Sequence, residues 1–499
     1  MRRILTLFCI LFTLICSLNA QTLNTEQMKE DFDFLYEKIA LINPHLEIRR
    51  KVTGTDILFE IKNLRKEIDA ITSDVQFYRL ITKVLFLCQD AHTGVTSRYP
   101  YEHADTLFVN EAKKVSSHFM NKYYRYYTPA IRNSLRVFFH DGKFYLPNIL
   151  DNDSNIQIQS GSQLIKINNM PVDEYMRKWN IPVYNDVKWS FDTNKYYTDL
   201  IFIPHLFKAI TDTSQIINVY YNGETKDIVL KPHYIKYPKR DRNIAKVCFF
   251  EKDKILYIRI PLMDGGKINY FKQEIAKYTT TEINKVVIDV RGNGGGNDAV
   301  WSTVLSSIIK DSIRINQKLC FKDNSLVREI VQKRYVEGEK VEEEKTPLFI
   351  GRDTLFCIYG NRDINPADNS LLYDKNIYIM ADDRAFSSTL SLISICNVCD
   401  NLVSVGVPSG YLGGEGIVPH FSILPNSKFI VNITLSLDAK NVADNDIEGY
   451  YHSKIEEAVY PSIDYYLNQM SDNEEYFSPY SEEFLYKHDP IFNKILLLE

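Results

Sequence analysis

Past residue 20 the sequence has no apolar run long enough to cross a bilayer, a task that takes about 20 consecutive apolar residues. That argues against a polytopic membrane protein. Positive charge is not in excess: 59 Lys and Arg stand against 64 Asp and Glu, a formal net charge of -5. A nucleic-acid partner would favour the opposite balance, so none is expected. Cysteine is scarce, with 8 in 499 residues, too few for a disulfide-built scaffold. Cys396 and Cys399 form a CxxC with no second CxxC and no neighbouring HxxxH. The pair reads as buried thiols or one local disulfide, not as half of a zinc site. Internal repeats and low-complexity linkers are absent too, which argues against a solenoid.

What is present begins with a charged pair, Arg2 and Arg3, then the apolar stretch ILTLFCILFTLIC, then SLNA before Gln21. These are the parts of a secretory signal cleaved after Ala20. Ile15 ahead of Cys16 is larger than the small residue that a lipoprotein signal uses. Removing residues 1–20 takes away two arginines and no acid, so the charge of -5 becomes -7. The expectation is a periplasmic or secreted protein with no stable membrane insertion after cleavage. Length allows about two to four domains.

The pattern changes along the chain. Residues 24–43 read as a helix capped by Asn24 and Gln27, with Phe32, Leu35, Tyr36 and Ile39 on one face and Pro44 as the stop. Two more helices are predicted near 55–70 and 74–88, leading into LCQDAHTGV. Residues 130–235 carry hairpin turns at Asp141-Gly142 and Asn222-Gly223, the mark of a compact β-rich module. From about 245, strands (ILYIRI, KVVIDV, NIYIMAD) alternate with helices at 266–279, 298–309 and 387–397. That alternation predicts a layered α/β core. The expected division is 1–20 signal, 21–125 helical region, 126–238 β-rich domain, 239–470 catalytic core and 471–499 C-terminal extension.

Three places could carry chemistry. VVIDVRGNGGGND is an apolar strand running into a glycine turn. A phosphate-binding loop would have Lys and Ser or Thr after the last glycine. Asn297 and Asp298 stand there instead, and Asp298 would repel phosphate. A dinucleotide loop would need a glycine at 297. The remaining uses are a ligand-free turn or backbone N–H groups presented to a developing negative charge. In IYIMADDRAFSSTLSLI a strand ends in a polar turn and Ser387 opens a helix, where the helix dipole stabilises an oxyanion. Ser387 as a plain N-cap is the competing role, and Ser388 is the competing nucleophile. In CQDAHTGV, His92 follows an apolar helix in a polar turn and can act as a general base or be structural.

Together, VVIDVRGNGGG and YIMADDRAFSSTLSL resemble the two core motifs of the C-terminal processing and tricorn-type serine peptidases. SGSQLIKINNMPV is similar to that family's PDZ module. VGVPSGYLGG resembles the segment after the nucleophile, with Ser409 in place of Thr, and EEAVYPSI resembles the terminal G-V-x-P-D-I, with Ala458 and Ser462 as departures. No Lys lies between Lys375 and Lys428, so the branch whose base is a Lys about two dozen residues after the Ser does not fit. QDAHTG is similar to the D-x-H motif of the tricorn-like and retinoid-binding-protein-like branch, although Ala91 stands where tricorn has Ser. The resemblance implies an α/β catalytic core of the ClpP/crotonase-like type, an N-terminal helical region and a PDZ-like domain. It implies a serine endopeptidase acting on protein or peptide, with Ser387 as nucleophile, His92 as base, Gly295 and Ser388 as oxyanion donors, and Glu456 or Glu457 as the orienting acid. Neither cofactor nor metal is implied. Asp289 and Arg291 read as braces of the glycine turn. Two other readings stand beside this one: a non-catalytic relative binding peptides or a hydrophobic ligand, and an esterase-like hydrolase.

Overall fold

A computed structural model of the chain describes residues 23–96, 134–151, 156–181, 187–203, 215–230, 244–333, 342–344, 346–412, 419–440, 442–443, 445–469 and 480–498. The expected signal at 1–20 lies outside the described residues.

The described chain opens with four helices, α1 (Thr25–Ile42), α2 (Leu46–Thr53), α3 (Ile57–Leu64) and α4 (Asp74–Leu87). Asn24 and Gln27 close a capping box on α1, satisfying two N–H groups that helical bonding leaves open. Phe32, Leu35 and Ile39 of α1 pack with Phe77, Ile81 and Val84 of α4. The chain then forms β1 (Gly94–Val95), and His92 lies on the turn between α4 and β1.

The β-rich region holds β2 (Phe138–His140), β3 (Lys143–Leu146), β4 (Ser162–Ile167), β5 (Lys188–Ser190), β6 (Lys195–Tyr197), β7 (Gln215–Tyr221) and β8 (Glu224–Leu230). The sheet order is β8-β7-β4-β3-β2, while β5 and β6 pair as a separate hairpin. Asp141, Gly142, Asn222 and Gly223 all have positive φ, as two-residue hairpin turns that follow the strand twist require.

The core sheet contains β9 (Lys246–Phe250), β10 (Ile255–Arg259), β11 (Lys285–Asp289), β14 (Ile377–Ala381), β15 (Leu402–Gly406) and β18 (Glu457–Ala458), in that spatial order. Only β9 runs antiparallel to its neighbour. Helices α5 (Ile268–Ala276), α6 (Ala299–Ser306) and α7 (Ser388–Cys396) make the crossovers. Alternate residues feed opposite faces. Val286 and Ile288 pack with Phe271, Val304 and Ile393 on one side. Val287 and Met380 pack with Phe492 and Ile495 on the other. The last two come from α9 (Pro490–Leu497), and α8 (Glu482–His488) adds Leu485 to the same face, so residues 480–498 form a covering layer.

Beside this core lies an antiparallel ribbon of β12 (Ile313–Lys322) and β13 (Asp353–Ile364), which the sequence reading did not anticipate. The disulfide Cys320–Cys357 crosses it. Cys396 and Cys399 are free thiols, and burial pushes the Cys396 thiol well up, which makes it unreactive. The three-stranded sheet β1-β17-β16, with β16 at His420–Ile423 and β17 at Ile430–Ile433, fixes the histidine turn to the rest of the molecule.

Candidate active site

Parallel strands place the ends of β11 and β14 side by side, with Asp289 opposite Met380. The glycine turn and the serine turn therefore emerge together, where open α/β sheets hold their ligands. The two turns are bonded directly: Gly292 N–H donates to Asp382 Oδ1 at 2.8 Å. Arg384 then clamps Asp382 Oδ2 through Nε at 3.1 Å and Nη2 at 2.8 Å.

Ser387 stands between β14 and α7 with φ 54° and ψ -126°. A non-glycine residue in the left-handed region stores strain, and such strain concentrates at functional sites. The sharp turn brings Ser387 Oγ to 3.3 Å from His92 Nε2, across 295 residues of sequence. Phe386 stacks on the imidazole, with ring centres 4.6 Å apart. The histidine backbone is held by β17, where Asn432 Nδ2 donates to His92 O and Gly94 pairs with Asn432.

The acids expected from sequence are each engaged by another group. Glu456 accepts from Ser404 N–H at 2.9 Å in β15, and burial pushes its carboxyl up. Glu457 pairs with Lys494 of α9 at 2.9 Å. The carboxylate next to the imidazole is Asp90, fully buried, with Oδ1 at 3.9 Å from His92 Nδ1. It also accepts from His92 N–H at 3.0 Å and from Thr93 Oγ1 at 2.9 Å. Sequence reasoning named the D-x-H motif for its histidine and passed over its aspartate.

Gly295 sits directly behind the serine. A Cβ there would fall 2.6 Å from both Phe386 O and Ser387 Cβ, and φ is +97°. Its N–H donates to Asn293 Oδ1 at 2.8 Å. In this arrangement Gly295 supplies space, and its N–H, expected as an oxyanion donor, is engaged by the Asn293 side chain. Asn293, fully buried, also donates to Ile260 O at 2.9 Å, which explains an asparagine in the turn. Ser388 opens α7, so its N–H is among the first-turn donors that α-helical bonding leaves unused. Ser409 Oγ donates to Ala385 O at 2.8 Å and accepts from Tyr411 N–H at 3.2 Å, so a hydroxyl, and not specifically a threonine, braces the serine turn.

Asp289 and Arg291 are braces. Asp289 accepts from Tyr257 Oη at 2.6 Å and from Arg291 Nη2 at 2.7 Å, and Arg291 Nη1 also bonds Asp489. Burial alone would raise the Asp289 carboxyl, but Arg291 and Arg259 outweigh it and hold it down at about 2. A depressed folded value stabilises the fold above the ordinary carboxylate range, and that stability drains away as pH falls toward the folded value. The depression from 3.8 corresponds to about 2 kcal/mol near neutral pH. Asp289→Asn is therefore expected to lower stability at pH 7 in urea unfolding, with the difference from wild type narrowing between about pH 4 and 2.

A cavity of about 1270 Å³ opens beside the serine turn, with Phe138, His140, Trp189, Asp383, Arg384 and Tyr466 in its wall. It lies between the β-rich region and the strand ends of the core.

Residues 254–451 match the family described as Peptidase family S41. Solved structures that share the fold include two forms of one protein. Mature CPAF is 12% identical over 94% of this chain and 98% of its own, with a TM-score of 0.56. Mature CPAF complexed with lactacystin is 13% identical over 94% of this chain and 99% of its own, with a TM-score of 0.54. At these identities the likeness is one of fold. No curated protein matches the sequence.

Proposed function

We propose that this chain, a serine-type peptidase by its family S41 domain at residues 254–451, is an exported endopeptidase that cleaves peptide bonds with Ser387 as nucleophile and His92 as general base. The observation that carries the proposal is the 3.3 Å approach of Ser387 Oγ to His92 Nε2 on a strained strand-to-helix turn. His92 takes the hydroxyl proton as Ser387 attacks the carbonyl. Ser388 N–H and the helix end receive the oxyanion, His92 returns the proton to the leaving amine, and water resolves the acyl-enzyme. Asp90 steadies the imidazolium. The core is of the ClpP/crotonase-like type and the β-rich region is PDZ-like, offering strand addition to an extended peptide.

The test is labelling with a serine-directed phosphonate, read by intact mass. One adduct on the folded wild type is expected. No adduct would sink the proposal in favour of a non-catalytic binder. Matched peptide and ester substrates, assayed side by side, separate a peptidase from an esterase-like hydrolase. Asp90→Asn is expected to slow labelling by about ten- to a thousandfold while the fold survives, since a mis-set histidine costs up to about 10⁴ in rate. A labelling rate equal to that of wild type would remove Asp90 from the site.

A further inference from the structure

One short strand of the β-rich region touches both turns that carry the reacting side chains. Val187 N–H, just ahead of β5, donates to Gln89 Oε1 at 3.1 Å, three residues before His92. Trp189 N–H in β5 donates to Gly410 O at 2.9 Å. Between them, Lys188 Nζ donates to Asp383 Oδ2 at 2.7 Å and to Asp199 Oδ1 at 3.1 Å. Asp383 is four residues before Ser387.

Each contact is tightly set. Gln89 is buried in a left-handed conformation, φ 46°. Its amide donates to Phe86 O at 2.6 Å and to Ile181 O at 2.9 Å. Gly410 has no room for a side chain, since a Cβ would fall 2.6 Å from Tyr197 Oη and 2.7 Å from Lys188 Cβ. The Lys188 side chain is 1% exposed. Its ammonium lies over the rings of Tyr197 and Tyr411, 5.0 Å and 5.7 Å from their centres. Tyr411 meets Phe386 edge-on at 5.4 Å, and Phe386 stacks on His92.

A buried ammonium is tolerated only when carboxylates pair with it. The converse holds for these carboxylates. Without the ammonium, Asp383 and Asp199 would lose the cation that joins them, Arg384 being already clamped on Asp382, and the serine turn would lose its ionic tie to β5.

We propose that Lys188 is a positioning residue for the hydrolytic pair. By joining Asp383 to a strand that also holds Gln89, it sets the separation between Ser387 and His92 from a single element. It touches neither the nucleophile nor the base. The inference rests on the serine-peptidase reading of that pair.

The test compares Lys188→Met, Lys188→Arg and Asp383→Asn with wild type. Lys188→Met is expected to lower kcat and the phosphonate labelling rate by about a hundredfold, the scale set by displacing a reacting group by about 1 Å, with KM within about twofold. Lys188→Arg, which keeps the charge, is expected to recover most of the rate. Asp383→Asn keeps the Lys188–Asp199 pair and guards against a Lys188→Met protein that does not fold; a drop of about tenfold is expected. The imidazole NMR signals of His92 give a readout independent of turnover, and Lys188→Met is expected to shift them. A folded Lys188→Met protein with wild-type kcat and unshifted His92 signals overturns the inference, as does an Asp383→Asn protein unchanged in both. Shifted signals in a protein whose wild type takes no phosphonate would instead uphold the positioning role and discard the peptidase reading.

Discussion

Ser387→Ala is expected to abolish phosphonate labelling and to lower peptide hydrolysis by about 10⁴- to 10⁶-fold, the range seen when a serine hydrolase loses its nucleophile. His92→Ala should fall as far. The double variant should be little worse than either single one, because the two groups act as one unit. Stability should behave differently. The Ser387 hydroxyl gives the fold one hydrogen bond of 3.3 Å to His92, worth about 1 kcal/mol, and alanine leaves the left-handed backbone at 387 no more strained than serine does. A near-unchanged melting temperature with collapsed activity is the expected pair of results, read by calorimetry and by single-turnover cleavage. A Ser387→Ala protein that still cleaves peptide at the wild-type rate would transfer the chemistry to another group, with Ser388 first in line.

Gly295→Ala should have the second largest effect, through a different cause. The new methyl would fall 2.6 Å from Phe386 O and from Ser387 Cβ, on a residue whose φ of +97° already disfavours any side chain. Backbone must move, because neither obstacle is a flexible side-chain tip. The serine turn would be pushed off the histidine, and kcat should drop by about 10²- to 10³-fold. The backbone conformation adds an expected stability loss of about 1–3 kcal/mol in urea unfolding. A Gly295→Ala protein with both quantities unchanged would mean that the turn rearranges freely, which the bonds from Gly292 to Asp382 and from Gly295 to Asn293 oppose.

These effects trace to features of very different visibility in the sequence. Local chemistry was legible: the capping box at Asn24, the hairpin turns at Asp141-Gly142 and Asn222-Gly223, and the strand-to-helix turn at Ser387 all depend on residues within a few positions of one another. The ribbon of β12 and β13 was not, because a strand pair buried in part on both faces lacks a clean alternation. The surroundings of the expected acids were not legible for a related reason. Glu456 and Glu457 sit near the right segment in sequence, yet Glu456 is tied to Ser404 and Glu457 to Lys494. Asp90 is made adjacent to the imidazole by a two-residue turn. Likewise, nothing local marks Lys188, whose partners Asp199 and Asp383 lie 11 and 195 residues away.

The covering layer of α8 and α9 has a consequence for synthesis. Phe492 and Ile495 shield one face of the central sheet, and Asp489 completes the cradle around Arg291 at the root of the glycine turn. A growing chain on the ribosome lacks that shield until residues 480–498 have emerged. Until then the nascent sheet exposes Tyr257, Val287 and Met380 to solvent and to chaperones. The root of the glycine turn is therefore completed only when Asp489 has packed against Arg291.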